Sequence, residues 1–203
     1  MIESKTNIDF FEDSFVENKL FNFLKIEESV KNCTKCQLHK NRNKIVFYRG
    51  SIDAKFMLVG EAPGADEDSV GKPFVGRAGK LLDASLQECN INQDEIVIVN
   101  IVKCRPPNNR QPEIDEILSC MPYLKQQIEL LSPKIIVALG STAVQGLTGI
   151  SGGITSLRGK LQLYANIPVM PTFHPAYILR NPKAKIDFIN DLSSSKQKLI
   201  NIL

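Results

Sequence analysis

The chain is short of histidine: among 203 residues only His39 and His174 occur, so any catalytic imidazole is one of these two. No apolar run approaches the roughly 20 residues that a membrane span requires, and no membrane association is expected. Met1 to Glu12 mixes acids with polar residues and lacks the form of a secretory signal, so a cytoplasmic protein is expected. The phosphate-cradling pattern G-x-x-x-x-G-K-[S/T] is absent, which argues against a nucleotide hydrolase. There is no internal repeat and no low-complexity tract. Acids are missing from residues 31–49, which carry Lys31, Lys35, Lys40, Arg42, Lys44 and Arg49. Such a stretch suits a phosphate backbone, where counterion release drives affinity, although a solvated surface segment has the same composition. The first 30 residues are acidic, with Glu3, Asp9, Glu12, Asp13, Glu17, Glu27 and Glu28 against three lysines, so the net charge of +3 understates the basicity of the remainder.

What is present is enough chain for one domain with a sizeable core. Residues 8–28 have Phe11, Phe15, Leu20 or Phe21, and Leu24 near helical spacing, predicting an amphipathic helix that packs on the core. Residues 1–29 are read as a helical extension and 30–203 as the main domain. Strands are predicted at 55–60, 95–100, 134–140 and 168–173, the last at an edge or ending at Pro171. Helices are expected near 76–89, over 113–131 and over 184–202, with a short one capped by Ser141. In the second, Ile114, Ile117, Leu118, Met121, Leu124 and Ile128 form an apolar face, and Pro122 should kink or divide it. Alternating strands and helices predict a mostly parallel sheet covered on both faces. Ligands bind such sheets beyond the carboxyl ends of the strands, so the segments 60–68, 100–111 and 174–180 should converge on one crevice.

Five cysteines, an odd number, argue against a disulfide scaffold in a chain of this kind. Cys33 and Cys36 form C-x-x-C with no strand before them, unlike a redox pair. Cys104 and Cys120 follow the second strand, and Cys89 ends an apolar-faced helix, where plain packing is expected. Four thiolates suit zinc or an iron–sulfur cluster equally well. The 67-residue gap between Cys36 and Cys104 excludes a compact zinc finger and implies a site stapling the N-terminal segment to the middle of the domain.

Among the loop residues, Phe74 lies outside any amphipathic stripe and is either plain core or a face on which a base can stack. Asn100 carries an amide donor and acceptor suited to one edge of a pyrimidine, although an Asn that caps a turn fits the same position. His174 follows a strand and precedes Pro175, which holds it extended, whereas His39 reads as a surface residue. Gly149-Ile150-Ser151-Gly152-Gly153 fits G-x-S-x-G, but no strand leads into it, so a hydrolase elbow is rejected.

Together the segments GEAPGADED (60–68), GKPFVGRAGKLLD (71–83), NIVKCRPPNNRQP (100–112), MPYL after Cys120, SPKIIVALGSTA (132–143) and FHPAYILR (173–180) resemble the family 4 uracil-DNA glycosylases, in that family's order. The resemblance implies a three-layer α/β/α sandwich with a central four-stranded parallel sheet, and a [4Fe–4S] cluster on Cys33, Cys36, Cys104 and Cys120. It implies that Phe74 stacks on a flipped uracil, Asn100 reads its polar edge and His174 stabilises the departing base. Glu61, Ala62 and Pro63 would line the pocket, and Glu67 would stand near the base's 5 position, where it bears on rejecting thymine. Glu61 is the candidate for orienting water, because Ala62 occupies the position at which the best-known uracil glycosylases have an aspartate. Segment 151–161 has no histidine, unlike relatives that become trapped on DNA. Tyr177 and Arg180 are the expected DNA contacts, and a monomer acting on uracil-containing DNA is expected. A zinc-stapled binding module and a glycosylase of another base preference are the rival readings.

Overall fold

The computed structural model describes residues 7–202, with side chains from Asn18 onward. The apolar runs form strands after the two-residue β1 (Arg49–Gly50): β2 (Phe56–Gly60), β3 (Ile96–Asn100) and β4 (Ile135–Leu139), then β5 (Gln162–Tyr164) and β6 (Ile167–Thr172). Their order is β1-β3-β2-β4-β6-β5. The expected four-stranded parallel sheet is therefore the interior of a six-stranded one, with β1 and β5 added antiparallel at the edges. These edge strands are two and three residues long and carry no apolar run, so periodicity had nothing to detect.

Every residue of β2, β3 and β4 is buried, because helices cover both faces. Alternate side chains divide between two cores. Met57, Val59, Val97, Val99, Ile136 and Ala138 face α1 (Asn7–Lys31), α4 (Ile114–Leu131) and α5 (Ser141–Thr148). Phe56, Leu58, Ile96, Ile98, Ile135 and Val137 face α3 (Arg77–Glu88), α7 (Pro175–Arg180) and α8 (Lys185–Ile200). This is the expected three-layer α/β/α arrangement. Two short helices, α2 (Ala65–Val70) and α6 (Ile154–Leu157), complete the set. No described helix is long and apolar enough to cross a membrane.

Several local expectations are corrected. Leu20, Phe21 and Leu24 are exposed; among the described side chains of α1, Phe23 and Val30 are buried in the core, Phe23 against Phe47 and Tyr48. The side chains of Phe11 and Phe15 lie outside the described residues. On α4, Met121, Leu124 and Ile128 are buried, but Ile114 (74% exposed) and Leu118 (65%) face outward. Pro122 does not divide this helix: it lies on the exposed face, where water can satisfy the carbonyl it strands. Gly140, in the left-handed region at φ 93°, is the N-cap of α5 in place of Ser141. Strand β6 is flanked by both β4 and β5, so it is not an edge, but it does end one residue after Pro171, which lies beyond the β5 pairing that stops at Val169.

An ion pair built on a buried carboxylate anchors the carboxyl end of β6. Asp191 of α8 accepts hydrogen bonds from Thr172 Oγ1 (2.7 Å) and from Arg158 Nε and Nη2 (2.9 and 2.7 Å). Removing Asp191 takes the main acceptor from Thr172 and from the part-buried Arg158 guanidinium, which keeps only the Asp187 carbonyl (2.9 Å) and a longer contact to its carboxylate (3.5 Å). Asp191→Ala is expected to lower the unfolding free energy by about 3 kcal/mol in urea melts; a loss below about 1 kcal/mol would equate the pair with a solvent-screened surface one.

Candidate active site

The chain leaves β2 toward β3 on one side and reaches β4 on the other, so a crevice opens at the carboxyl ends where the strand order switches. A cleft of about 660 Å³ lies there, and the three expected loops do converge on it. A fourth contributor, Leu139 to Ser141 after β4, was not anticipated.

Asn100 ends β3 directly opposite Gly60 of β2. It is 1% exposed and borders the cleft, and its Oδ1 has no hydrogen-bond partner among the described residues. Such an orphan acceptor costs about 1–3 kcal/mol unless a ligand N–H satisfies it. A Cβ at position 60 would stand 2.5 Å from that oxygen and 2.7 Å from the Phe74 ring, so glycine there is what admits both groups. Phe74 is itself in the left-handed region (φ 55°), an outlier for a bulky residue. Its carbonyl accepts from Arg49 Nη1 at 2.9 Å, and Arg49 is forked onto Asp83 of α3. A Cβ at Gly79 would lie 1.8 Å from the same carbonyl oxygen. Thus β1 and α3 together hold the strained aromatic in place.

His174 caps α7, and its Nδ1 accepts the Ala176 N–H at 3.1 Å. That bond assigns the proton of a neutral ring to Nε2, making Nε2–H a donor for the cleft that His174 lines. Its ring centroid is 5.5 Å from that of Phe74. Burial, helped by the nearby charge of Arg180, lowers its pKa to about 4.

The other anticipated residues also line the cleft. Glu61 Oε2 accepts from Thr142 Oγ1 at 2.5 Å, a partner that sequence reasoning missed. Ala62 and Pro63 supply small surfaces. Glu67 is taken up by backbone donors, those of Gly64 (3.1 Å), Val75 and Gly76 (both 2.9 Å), so it ties the loops flanking Phe74 together. Tyr177 stacks on Phe173, and Arg180 is exposed at the rim. Arg110, also missed, borders the cleft while paired with the buried Glu116. G-x-S-x-G follows helix α5, not a strand.

Cys33, Cys36, Cys104 and Cys120 surround one separate cavity. Cys89 is elsewhere, buried near Ser193. Burial raises the thiol pKa values of Cys36 and Cys104 and pushes that of Cys120 up to about 11, so a cationic group is needed to hold them as thiolates. Arg42 contributes, with Nη1 3.3 Å from Cys104 Sγ and 3.1 Å from the Cys33 carbonyl. The basic stretch is therefore divided: Arg42 and Arg49 turn inward, while Lys31, Lys35, Lys40 and Lys44 stay exposed. His39 is a part-buried wall of the thiol cavity, with Nδ1 2.7 Å from the Cys36 carbonyl. Lys103, which sequence reasoning passed over, is fully buried between this cavity and Asn100.

A histidine with depressed pKa binds no proton until the pH falls well below its usual range. NMR titration of His174 is expected to show neutral imidazole with Nε2–H at pH 5–8 and protonation near pH 4. Unfolding frees the ring to protonate near 6.5, so the stability this contributes is full above about 6.5 and lost as pH falls toward 4. Titration at the ordinary value would mean a solvated ring.

The uracil DNA glycosylase superfamily matches residues 47–194. The chain is 47% identical to a type-4 uracil-DNA glycosylase of Thermotoga maritima over 158 residues, 77% of this chain and 82% of that protein. It is 46% identical to one of Sulfurisphaera tokodaii (79% and 77% covered) and 41% identical to one of Pyrobaculum aerophilum (83% and 90%). Matches of this extent and identity place the cleft in a known lineage: the chain belongs to the type-4 uracil-DNA glycosylases of that superfamily.

Proposed function

We propose that this protein hydrolyses the N-glycosidic bond of uracil in DNA, leaving an abasic site. The observation that carries this is the donor–acceptor pattern of the cleft: an unpartnered Asn100 Oδ1 and a neutral His174 donor beside the Phe74 ring. Uracil presents an N–H between two carbonyl oxygens. Asn100 accepts the N3–H and its amide donates to O4, His174 donates to O2, and Phe74 stacks on the ring. Cytosine has no proton on N3 and would leave Oδ1 unsatisfied. Glu67, by tying the flanking loops, makes a stiff wall against which the methyl group of thymine would press.

A base inside a duplex is out of reach and is extruded into the cleft at a cost of a few kcal/mol. Exposed Leu179, between Tyr177 and Arg180, suits the space left behind, and Arg180 suits a backbone phosphate. As the bond breaks, positive charge grows on the sugar and negative charge on uracil. A fixed donor aimed at that oxygen stabilises the developing charge with no proton transfer. Glu61, oriented by Thr142, positions the water that adds to the sugar. His174→Ala is expected to lower kcat about 100- to 1000-fold while oligonucleotide affinity stays within a few-fold; unchanged uracil release would remove His174 from the chemistry.

We further read the thiol cavity as holding a [4Fe–4S] cluster on Cys33, Cys36, Cys104 and Cys120. All four thiols line one space, and four cysteine thiolates are the donor set that such a cluster takes. Arg42 and Lys103 offset the negative charge of a thiolate-bound cluster. When bound, the cluster supplies a rigid junction between the end of α1, the loop after β3, and α4. We read the protein as a cytoplasmic monomer. Metal analysis of anaerobically purified protein is expected to find about four irons per chain, reduced by Cys104→Ser and unchanged by Cys89→Ser. One zinc per chain without iron would overturn the cluster.

A further inference from the structure

Lys103 is 0% exposed and joins no ion pair among the described residues. Its Nζ donates to the Asn100 carbonyl and to Gln127 Oε1, both at 2.6 Å, and finds no third acceptor among the described residues. Gln127 is fixed in turn, its Nε2 donating to the Phe47 carbonyl at 3.1 Å. The Lys103 carbonyl accepts from Val46 N–H at 2.8 Å. A buried ammonium held only by neutral acceptors is costly, and the missing element is a negative charge. The cavity that Lys103 borders is lined by four thiols. At its other end the lysine holds the carbonyl of the residue whose amide reads the base.

We infer that Lys103 is a positioning residue that couples the thiol cavity to Asn100, so that the charge held by the four cysteines sets the placement of the base-reading amide. This rests on the roles proposed above for Asn100 and the thiols. Bound as thiolates, the cysteines supply a nearby counter-charge, which steadies the ammonium on the Asn100 carbonyl and Gln127. Without that charge the lysine loses the partner that makes its burial tolerable, and the end of β3 loosens. The iron site is thus linked to recognition of uracil while taking no part in the hydrolysis.

The test is Lys103→Met, near in size and uncharged, in anaerobically purified full-length protein. Expected are undiminished iron, affinity for an abasic-site oligonucleotide within about twofold of wild type, and inhibition by free uracil weakened about tenfold or more, with a similar loss in kcat. The reduction potential should move negative, because removing a nearby positive charge disfavours the added electron; a packing role alone moves neither potential nor uracil inhibition. Full iron with wild-type uracil inhibition and potential would overturn the inference. If the variant loses its iron, Gln127→Leu decides, since it frees Nζ on one side and keeps the charge. Weakened uracil inhibition with iron retained then supports the coupling, and wild-type inhibition overturns it. Asn100→Ala separates the two readings: if that variant still binds uracil tightly, the base-reading role of Asn100 has failed, and not the link through Lys103.

Discussion

The pairing of Gly60 with Asn100, at the carboxyl ends of adjacent parallel strands, is the contact on which the site depends. Register places the two residues side by side, and the missing side chain at position 60 makes the space that the Asn100 amide and the Phe74 ring share. A methyl group there would collide with both. The sheet can hold this register because β2, β3 and β4 are buried on both faces, where a one-residue slip would exchange every side chain between the two cores. The precision of the cleft is in this sense borrowed from the hydrophobic core beneath it.

Above that core, the site concentrates features that a protein optimised for stability alone would avoid. Phe74 sits in a left-handed conformation, the Asn100 acceptor has no partner, and a histidine is held neutral by burial. Each costs free energy in the absence of ligand, and each is held by an identifiable support. The Arg49–Asp83 fork and the close approach of Gly79 hold Phe74; the Ala176 N–H holds the His174 tautomer; Lys103 holds the Asn100 backbone. Preorganised donors of this kind need no rearrangement as charge develops, which is where their value in catalysis lies. Glu67 and Asp191 work in the same way at one remove, the first tying loops around Phe74 and the second anchoring the strand that leads to His174.

Much of this was legible in the chain itself. The four long strands are continuous apolar runs, so their positions emerged within a residue or two, and alternation with helices implied a covered parallel sheet. His174 and Asn100 stood out as polar residues at the carboxyl ends of strands, and Phe74 as a loop aromatic with no packing stripe to belong to. The exposed stripes misled for the converse reason. Leu20, Phe21 and Leu24, like Ile114 and Leu118, have helical spacing whether or not anything covers them, and Phe23 became the buried contact only because Phe47 and Tyr48 lie against it.

The sequence by itself determined the layered α/β architecture, the convergence of three loops and the chemical types at the cleft, because these follow from local periodicity and from residues adjacent in the chain. Tertiary structure alone decided the supports. Thr142 lies 81 positions from Glu61, Arg49 34 from Asp83 and Lys103 24 from Gln127. Such pairs have no period and no motif, since they arise only when separate elements pack. The same holds for the basic segment, where composition promised a uniformly charged surface and folding turned Arg42 toward the thiols and Arg49 toward Phe74. A charge has no direction in a sequence; burial and the nearest acceptor give it one.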